Sequence, residues 1–284
     1  MKKKIEKIKT LFEALPYIKR FHGNDIVIKY GGSAMVEEEL KKSFTRDIVL
    51  MKYVGLNPIV VHGGGPQIGK ELERIGKEPR FINGIRVTDD ETMDVVEKVL
   101  VDEVNSEIVG LIEDFGGKAL GLGGKKSPLI KASQMQVKGE SLGRVGQVEN
   151  IDLSVLRAID DKYVIPVIAP VGIGEDSGAF NINADTVAGA LAVAIKAEKL
   201  ILLTDVEGVL DGEKKLISEM NSVEASKLID DKVAIGGMVP KLTCCIDVIN
   251  DGVHNAHIID GRVEHAVLLE IFTDEGIGTI IGSQ

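Results

Sequence analysis

The sequence predicts an α/β protein, a three-layer α/β/α sandwich around one mainly parallel central sheet. Three observations point there. Short runs of Val, Ile and Leu recur along the chain and are nearly continuous, as suits parallel strands covered on both faces. Longer amphipathic stretches, with apolar residues three and four apart, lie between them. Glycines gather where the apolar runs end, and the alternation as a whole calls for helices packed on both faces of a sheet.

The elements follow in order. The opening MKKKIEKIKTLFEALPYIKRF places Ile5, Ile8, Phe12 and Leu15 on one face of a helix that Pro16 kinks. That face either docks on its own domain or meets a partner. The first strand is Asp25–Lys29 and the second Pro58–Val61. A long helix covers Asp89–Asp114, with Met93, Val96, Leu100, Val104 and Ile108 at helical spacing and Thr88 or Asp89 as its cap. Gly116–Val148, rich in Gly, Lys and Ser, is expected to leave the main sheet as a hairpin excursion. Strands return at Val164–Ala169, Leu200–Thr204 and Ala256–Asp260, with helices at Ala184–Lys196, Ser222–Asp230 and Met238–Asn250. A soft boundary near Ile173–Asn183 divides a lobe of residues 23–178 from one of 179–284, with helix 1–22 ahead of both.

Composition narrows the function. The 284 residues allow one large domain or two smaller ones. They carry 34 Lys+Arg against 44 Asp+Glu, a net charge of −10, which argues against nucleic acid as a partner. A small anion needs only a local cluster of cations. The longest apolar stretch, Val187–Ile195, is too short to span a bilayer. Glu6 and Glu13 interrupt the basic N-terminus, so it does not read as a secretory signal. A soluble cytoplasmic protein without a membrane partner is expected. The five histidines are scattered, and Cys244-Cys245 are adjacent, which suits neither a metal site nor a disulfide. Buried small apolar residues is the expected role of that pair.

Glycine turns carry the chemistry. Gly64–Lys70 satisfies G-x-x-x-x-G-K, but Glu71 stands where a P-loop needs Ser or Thr, and Pro66 has no N–H for a phosphate. The same residues read better as a strand-to-helix turn, VVHGGGPQ, with Pro66 opening a helix. Three bare backbones beside a helix N-terminus suit an anion. In DIVIKYGGSAM, Lys29 ends a strand beside Gly31 and Gly32, with Ser33 available as a helix cap. Lys29 is either a phosphate clamp or a snorkelling surface lysine. In FNINAD, Asn181, Asn183 and Asp185 alternate and project to one side of an extended segment. LILLTDVEGVL ends a buried strand at Thr204-Asp205 and turns through Gly208. In GGMVPKL, Gly236 and Gly237 precede a helix whose first turns hold Lys241, misplaced against the dipole unless it answers an anion.

In this order, VIKYGGSAM, VVHGGGPQI, NGIRVTD, VIAPVGIGEDSGAFNINADTVA, LILLTDVEGVL and GGMVPKL resemble the amino acid kinase family nearly end to end. The glycine turns alone indicate only the superfamily, which includes aspartokinase, glutamate 5-kinase, carbamate kinase and uridylate kinase. NGIRVTD followed by NINAD is similar to its members that phosphorylate N-acetyl-L-glutamate. The resemblance implies transfer of the γ-phosphoryl of ATP, with Mg²⁺ on the nucleotide phosphates and no metal ligand from the protein, to the side-chain carboxylate of N-acetyl-L-glutamate in arginine biosynthesis. By the same resemblance Lys29 and Lys241 clamp the phosphoryl group, Asp185 orients both, and Gly32 offers a backbone N–H. Gly64, Gly65, Arg86, Asn181 and Asn183 hold the acceptor in the N-terminal lobe, which also forms the dimer contact. Gly31, Thr204, Asp205, Gly208, Gly237 and Met238 hold ATP, mainly over the C-terminal lobe. A carboxylate acceptor is ionised at neutral pH and needs no general base. The alternatives are another kinase of the family, glutamate 5-kinase-like, or a non-catalytic amino-acid or nucleotide sensor.

The ending LPYIKRF and the segment GRVEHAVLLEIF resemble the arginine-inhibited members. These interlace N-terminal helices into a hexamer, a trimer of dimers. Tyr17, Lys196, Glu264 and Glu270 are the implied contacts for L-arginine. One departure is Lys126, in GGKKSP, where the family often has an acidic residue near the acceptor lid.

Overall fold

The computed structural model describes residues 2–136, 141–159, 161–274 and 276–282. Helix α1 (Lys2–Phe21) runs through Pro16 and leads into β1 (Asp25–Tyr30). A 3-10 turn, Gly32–Met35, precedes α2 (Glu38–Tyr53), β2 (Asn57–His62) and α3 (Gly65–Arg74). A short ribbon of β3 (Phe81–Ile82) and β4 (Ile85–Arg86) is followed by α4 (Asp90–Glu97), a π-helical segment at Lys98–Val104, and α5 (Asn105–Asp114). Next come β5 (Lys118–Leu122), β6 (Ile130–Gln134), β7 (Gly146–Ile151), α6 (Leu153–Arg157), β8 (Val164–Ile168), β9 (Val171–Ile173) and β10 (Ala179–Asn181). The second half holds α7 (Ala184–Ile195), β11 (Lys199–Thr204), β12 (Glu219–Asn221), α8 (Ser222–Asp230), α9 (Met238–Asn250), β13 (Asn255–Asp260), α10 (Ala266–Phe272) and β14 (Gly278–Gly282).

Eight strands form the main sheet in the order β12-β14-β13-β11-β1-β2-β8-β5. From β13 to β5 all neighbours are parallel, while β14 runs antiparallel to β13. Alternation along β1 divides the core: Ile26, Ile28 and Tyr30 face one layer with Phe44 and Ile48 of α2 and Ile108 of α5. Val27 faces the other, with Val187 and Leu191 of α7 and Leu242 of α9. This is the expected three-layer sandwich.

The chain moves outward from β1 on one side through β2, and returns to β1's other side with β11. Strand order reverses there, and ligands of open α/β sheets collect in the crevice at the carboxyl ends of such strands. Lys29, His62 and Thr204 all lie at that edge.

Three expectations are corrected. The stretch Gly116–Val148 does not leave the main sheet throughout: Lys118–Leu122 is its edge strand, paired with β8. That strand, KALGL, is half exposed and lacks an apolar run. The excursion itself is real, since β6 and β7 form a hairpin in a second sheet of order β10-β9-β6-β7. The long helix is interrupted by the π-helical segment, and its cap is Asp89, which accepts from Thr92 N, whereas Thr88 donates to the Arg86 carbonyl. Ser33 lies inside the 3-10 turn and makes no side-chain cap.

On α1, Phe12 and Leu15 are 67% and 52% exposed, whereas Phe21 is buried. The side chains of Ile5 and Ile8 lie outside the described residues. Among the described residues no helix is long and apolar enough to cross a membrane.

Candidate active site

At the carboxyl edge of β1 and β11, one carboxylate joins two lysines. Asp185, in the first turn of α7, lies 3.1 Å from Lys29 Nζ through Oδ1 and accepts from Lys241 Nζ at 2.6 Å through Oδ2. The cap explains its position: Asn183 Oδ1 accepts from Asp185 N at 2.7 Å, starting the helix so that the next carboxylate points into the crevice. Lys29 and Asp185 side chains are only 12% and 9% exposed. Burial pushes the Lys29 ammonium down, with Asp185 opposing and Lys241 adding to the shift. Burial pushes Asp185 up, but the two ammonium groups outweigh it and hold the carboxyl below its ordinary value. Replacing such buried ion clusters with apolar side chains often stabilises a protein by about 1–4 kcal/mol. The cluster therefore argues for function, because stability alone does not need it.

The phosphate-type turn sits beside it. Gly32 has φ +70, and Ser33 N donates to Asp205 Oδ1 at 2.6 Å. Asp205 thus ties the turn after β1 to the turn after β11. Thr204, predicted to touch nucleotide, turns its hydroxyl toward the Val206 carbonyl of its own turn and the Ile259 carbonyl of β13. Gly208 packs against Thr279 and Leu216. Gly237 begins α9 with open space beside its Cα, and Met238 is half buried against the core.

The acceptor-type turn follows β2. Gly63 N donates to the Tyr30 carbonyl at 2.7 Å, joining the two turns. Gly64 and Gly65 open α3, so their N–H groups have no intrahelical acceptor. Gly69 and Lys70 lie inside that helix, which removes the P-loop reading. Arg86 donates from Nη2 to the Gly65 carbonyl at 3.0 Å and stacks over Phe81, while its buried Nη1 has no hydrogen-bond partner among the described residues. Burial holds its guanidinium below the ordinary value. An unsatisfied buried guanidinium nitrogen beside two free N–H groups suits a carboxylate. Asn181 reaches the same loop, donating to Thr88 Oγ1 at 3.1 Å.

Some residues here were missed by sequence reasoning. Thr88 organises the loop through its hydroxyl and backbone, and Arg144 pairs with Asp90 and Asp176 across it. Thr88 lies within NGIRVTD but reads there only as a helix cap, and a lone Arg at 144 gives no periodic or motif signal. Lys126 pairs with Asp102 at 2.7 Å on the π-helical segment. Cys244 Sγ donates to the Asp185 carbonyl, and Cys245 is fully buried. Burial pushes the Cys244 thiol up to about 12, so it is inert.

The four residues linked with L-arginine are not gathered in one place. The Tyr17 hydroxyl donates to Asp274 and lines a cavity of about 560 Å³ with Glu13, Arg20 and Phe272. Lys196 lines a different cavity, with Asp25, Lys52 and Arg157. Glu264 is exposed. Glu270 is buried, bound to His257 Nδ1 at 2.6 Å, with Lys199 Nζ 2.9 Å from the other ring nitrogen.

Comparison with known proteins accords with this geometry. Residues 24–260 match the amino acid kinase family. The chain is 56% identical over 287 residues to acetylglutamate kinase of Syntrophobacter fumaroxidans, covering 98% of this chain and 96% of that one. It is 53% identical to acetylglutamate kinase of Syntrophus aciditrophicus, covering 98% of each. N-acetylglutamate synthase from Neisseria gonorrhoeae, solved with coenzyme A and N-acetyl-glutamate, superposes with a TM-score of 0.88 at 24% identity. That match spans 98% of this chain and 63% of the synthase, and shows a common fold. By fold, by motif and by identity over nearly its whole length, this chain belongs to the amino acid kinase family and, within it, to the acetylglutamate kinases.

Proposed function

We propose that the protein transfers the γ-phosphoryl group of MgATP to the side-chain carboxylate of N-acetyl-L-glutamate, giving an acyl phosphate in arginine biosynthesis. The observation that carries this reading is the pair of lysines held on opposite oxygens of Asp185, at 3.1 and 2.6 Å, beside two glycine turns. Two anions must meet in this reaction, and phosphoryl transfer needs alignment and neutralisation more than proton transfer. Asp185 holds the two ammonium groups apart and aimed while leaving the cluster one positive charge in excess. The N–H groups of Gly64 and Gly65 and the Arg86 guanidinium, all in the N-terminal lobe of residues 23–178, bind the acceptor together with Asn181 from the start of the other lobe. The turns at Gly31, Asp205 and Gly237 receive the nucleotide, whose own phosphates carry Mg²⁺, against the C-terminal lobe of residues 179–284. The reaction runs in the cytoplasm, where MgATP is supplied.

Hydroxylamine trapping of acyl phosphate, with acetylated and free glutamate compared, tests the assignment. Product is expected with N-acetyl-L-glutamate. Product with free glutamate alone overturns the reading.

L-Arginine inhibition belongs to the same proposal. The cavity between α1 and α10 has Glu13 and Asp274 for a guanidinium and Arg20 for a carboxylate. The exposed Phe12 and Leu15 on α1 suit a helix that pairs with another subunit, as in a hexamer.

A further inference from the structure

Behind the acceptor turn lies a buried side-chain relay. His62 ends β2 and is fully buried. Its Nδ1 stands 2.7 Å from the Gly63 carbonyl oxygen, and its Nε2 stands 3.1 Å from Asn105 Nδ2. Asn105 Nδ2 also donates to the Val167 carbonyl at 2.9 Å. An amide nitrogen has two protons, so one goes to β8 and the other to the imidazole. The ring's Nε2 is then the acceptor, and Nδ1 carries the proton donated to Gly63. Burial pushes His62 down to about 4, against the opposing Gly63 carbonyl, so the ring is neutral.

The position of Asn105 comes from the π-helical segment Lys98–Val104, which ends where Asn105 begins α5. π-Turns recur at functional sites because they re-aim the side chains that follow. The segment also presses directly on the turn: a Cβ on Gly64 would collide with Leu100 Cδ2 and lie 3.7 Å from Val104 Cγ2. On the far side, the bare Cα of Gly121 in β5 leaves room for the amide, since a Cβ there would collide with Asn105 Oδ1.

We propose that His62 and Asn105 are positioning residues for the acceptor, acting through the peptide between Gly63 and Gly64. A trans peptide is planar, with its C=O and N–H pointing in opposite directions. When His62 holds the Gly63 oxygen toward the interior, the Gly64 N–H must point outward into the site. Flipping that peptide would aim a carbonyl oxygen at the acceptor's carboxylate. Asn105 keeps the imidazole in the one tautomer that can do this, and Gly121 keeps Asn105 in place. The inference rests on the functional reading above for its ligand but not for its geometry.

The test compares His62→Gln, His62→Asn and Gly121→Ala with the parent protein in steady-state kinetics. The Asn amide nitrogen occupies nearly the place of imidazole Nδ1 and can still donate to Gly63, whereas Gln reaches toward Asn105 and leaves that carbonyl unbound. His62→Gln is expected to raise the KM for N-acetyl-L-glutamate about tenfold, the loss of one hydrogen bond's worth of binding, with the KM for ATP within about twofold. His62→Asn should recover most of that loss. Gly121→Ala touches no substrate and should raise the same KM by about threefold or more by displacing Asn105. Equal changes in both KM values, or no rescue by Asn, overturn the proposal. Should His62→Gln fail to fold, Gly121→Ala with an unchanged acceptor KM overturns it alone. Imidazole nitrogen NMR on the parent protein separates this inference from the functional one. A ring protonated at Nδ1 and bare at Nε2 is expected even if the protein proves inactive on acetylglutamate, and the opposite tautomer overturns the relay.

Discussion

At the scale of single residues, Asp185 governs the site's electrostatics. Its two oxygens separate the ammonium groups of Lys29 and Lys241, which would otherwise repel one another in a poorly hydrated crevice. Lys241→Ala is expected to lower kcat by about 10²-fold or more, as for loss of one donor aimed at developing charge. Steady-state kinetics with both substrates saturating checks this, and a near-normal kcat removes Lys241 from the transition state. Asp185→Asn should be at least as damaging, because it leaves two like charges with no anion between them. Behind the acceptor turn, His62 sets a pH dependence of stability. Its folded value near 4 lies below the ordinary 6.5, so between these values the unfolded chain binds the extra proton. Stability from this group is complete above pH 6.5 and is lost as pH falls toward 4, by about 3 kcal/mol. Asp47, pushed up to about 6 by burial against its His265 partner, slopes the other way in part of that range. The parent therefore has to be compared with His62→Asn by denaturant unfolding from pH 7 to 4, and the gap between the two curves should narrow as pH falls.

At the scale of elements, the site is a set of turns braced by helices. Gly64 shows how tightly: Leu100 fills the space its side chain would need. Gly64→Ala is expected to cost about 1–3 kcal/mol by overpacking and to weaken acceptor binding. Adding Leu100→Ala should recover part of the binding but not the stability, which thermal unfolding and acceptor KM together will show. What could be read from sequence follows the same division. β1, β2, β8, β11 and β13 were legible because both faces are buried and the runs are continuously apolar, whereas β5, with one exposed edge and two small residues, left no such trace. Lys29, Asp185 and Lys241 stood out singly, as a strand-end lysine, a polar alternation and a lysine against a dipole; their joining awaited either a family resemblance or coordinates. Arg86 was legible only through the resemblance. His62 and Asn105 were invisible as a pair, since 43 positions of chain separate them and neither belongs to a periodic pattern. The π-helical turn that aims Asn105 has no hydrophobic period of its own and reads as ordinary helix.

At the scale of the whole molecule, both halves converge on one strand. β1 pairs with β2 on one side and with β11 on the other, and the bond from Ser33 N to Asp205 closes the seam at the site. The helix ahead of β1 stands apart from this arrangement, with Phe12 and Leu15 in solvent. Removing residues 1–20 is therefore expected to spare phosphoryl transfer while abolishing the hexamer and the arginine response. Sedimentation and inhibition curves check this, and a truncated protein that stays hexameric and arginine-sensitive refutes the assembly proposal. The central place of β1 has a further consequence during synthesis. Ile26 pairs with Lys199, so the first strand made waits for a neighbour whose codons lie far downstream. At about 5–20 residues per second, the ribosome leaves that edge unpaired for roughly ten to thirty seconds. For that interval the nascent chain carries an apolar strand with an open hydrogen-bonding edge, and no fragment ending before β11 has a finished active site. β11 closes the open edge of β1, and the site itself is complete only once α9 has delivered Lys241.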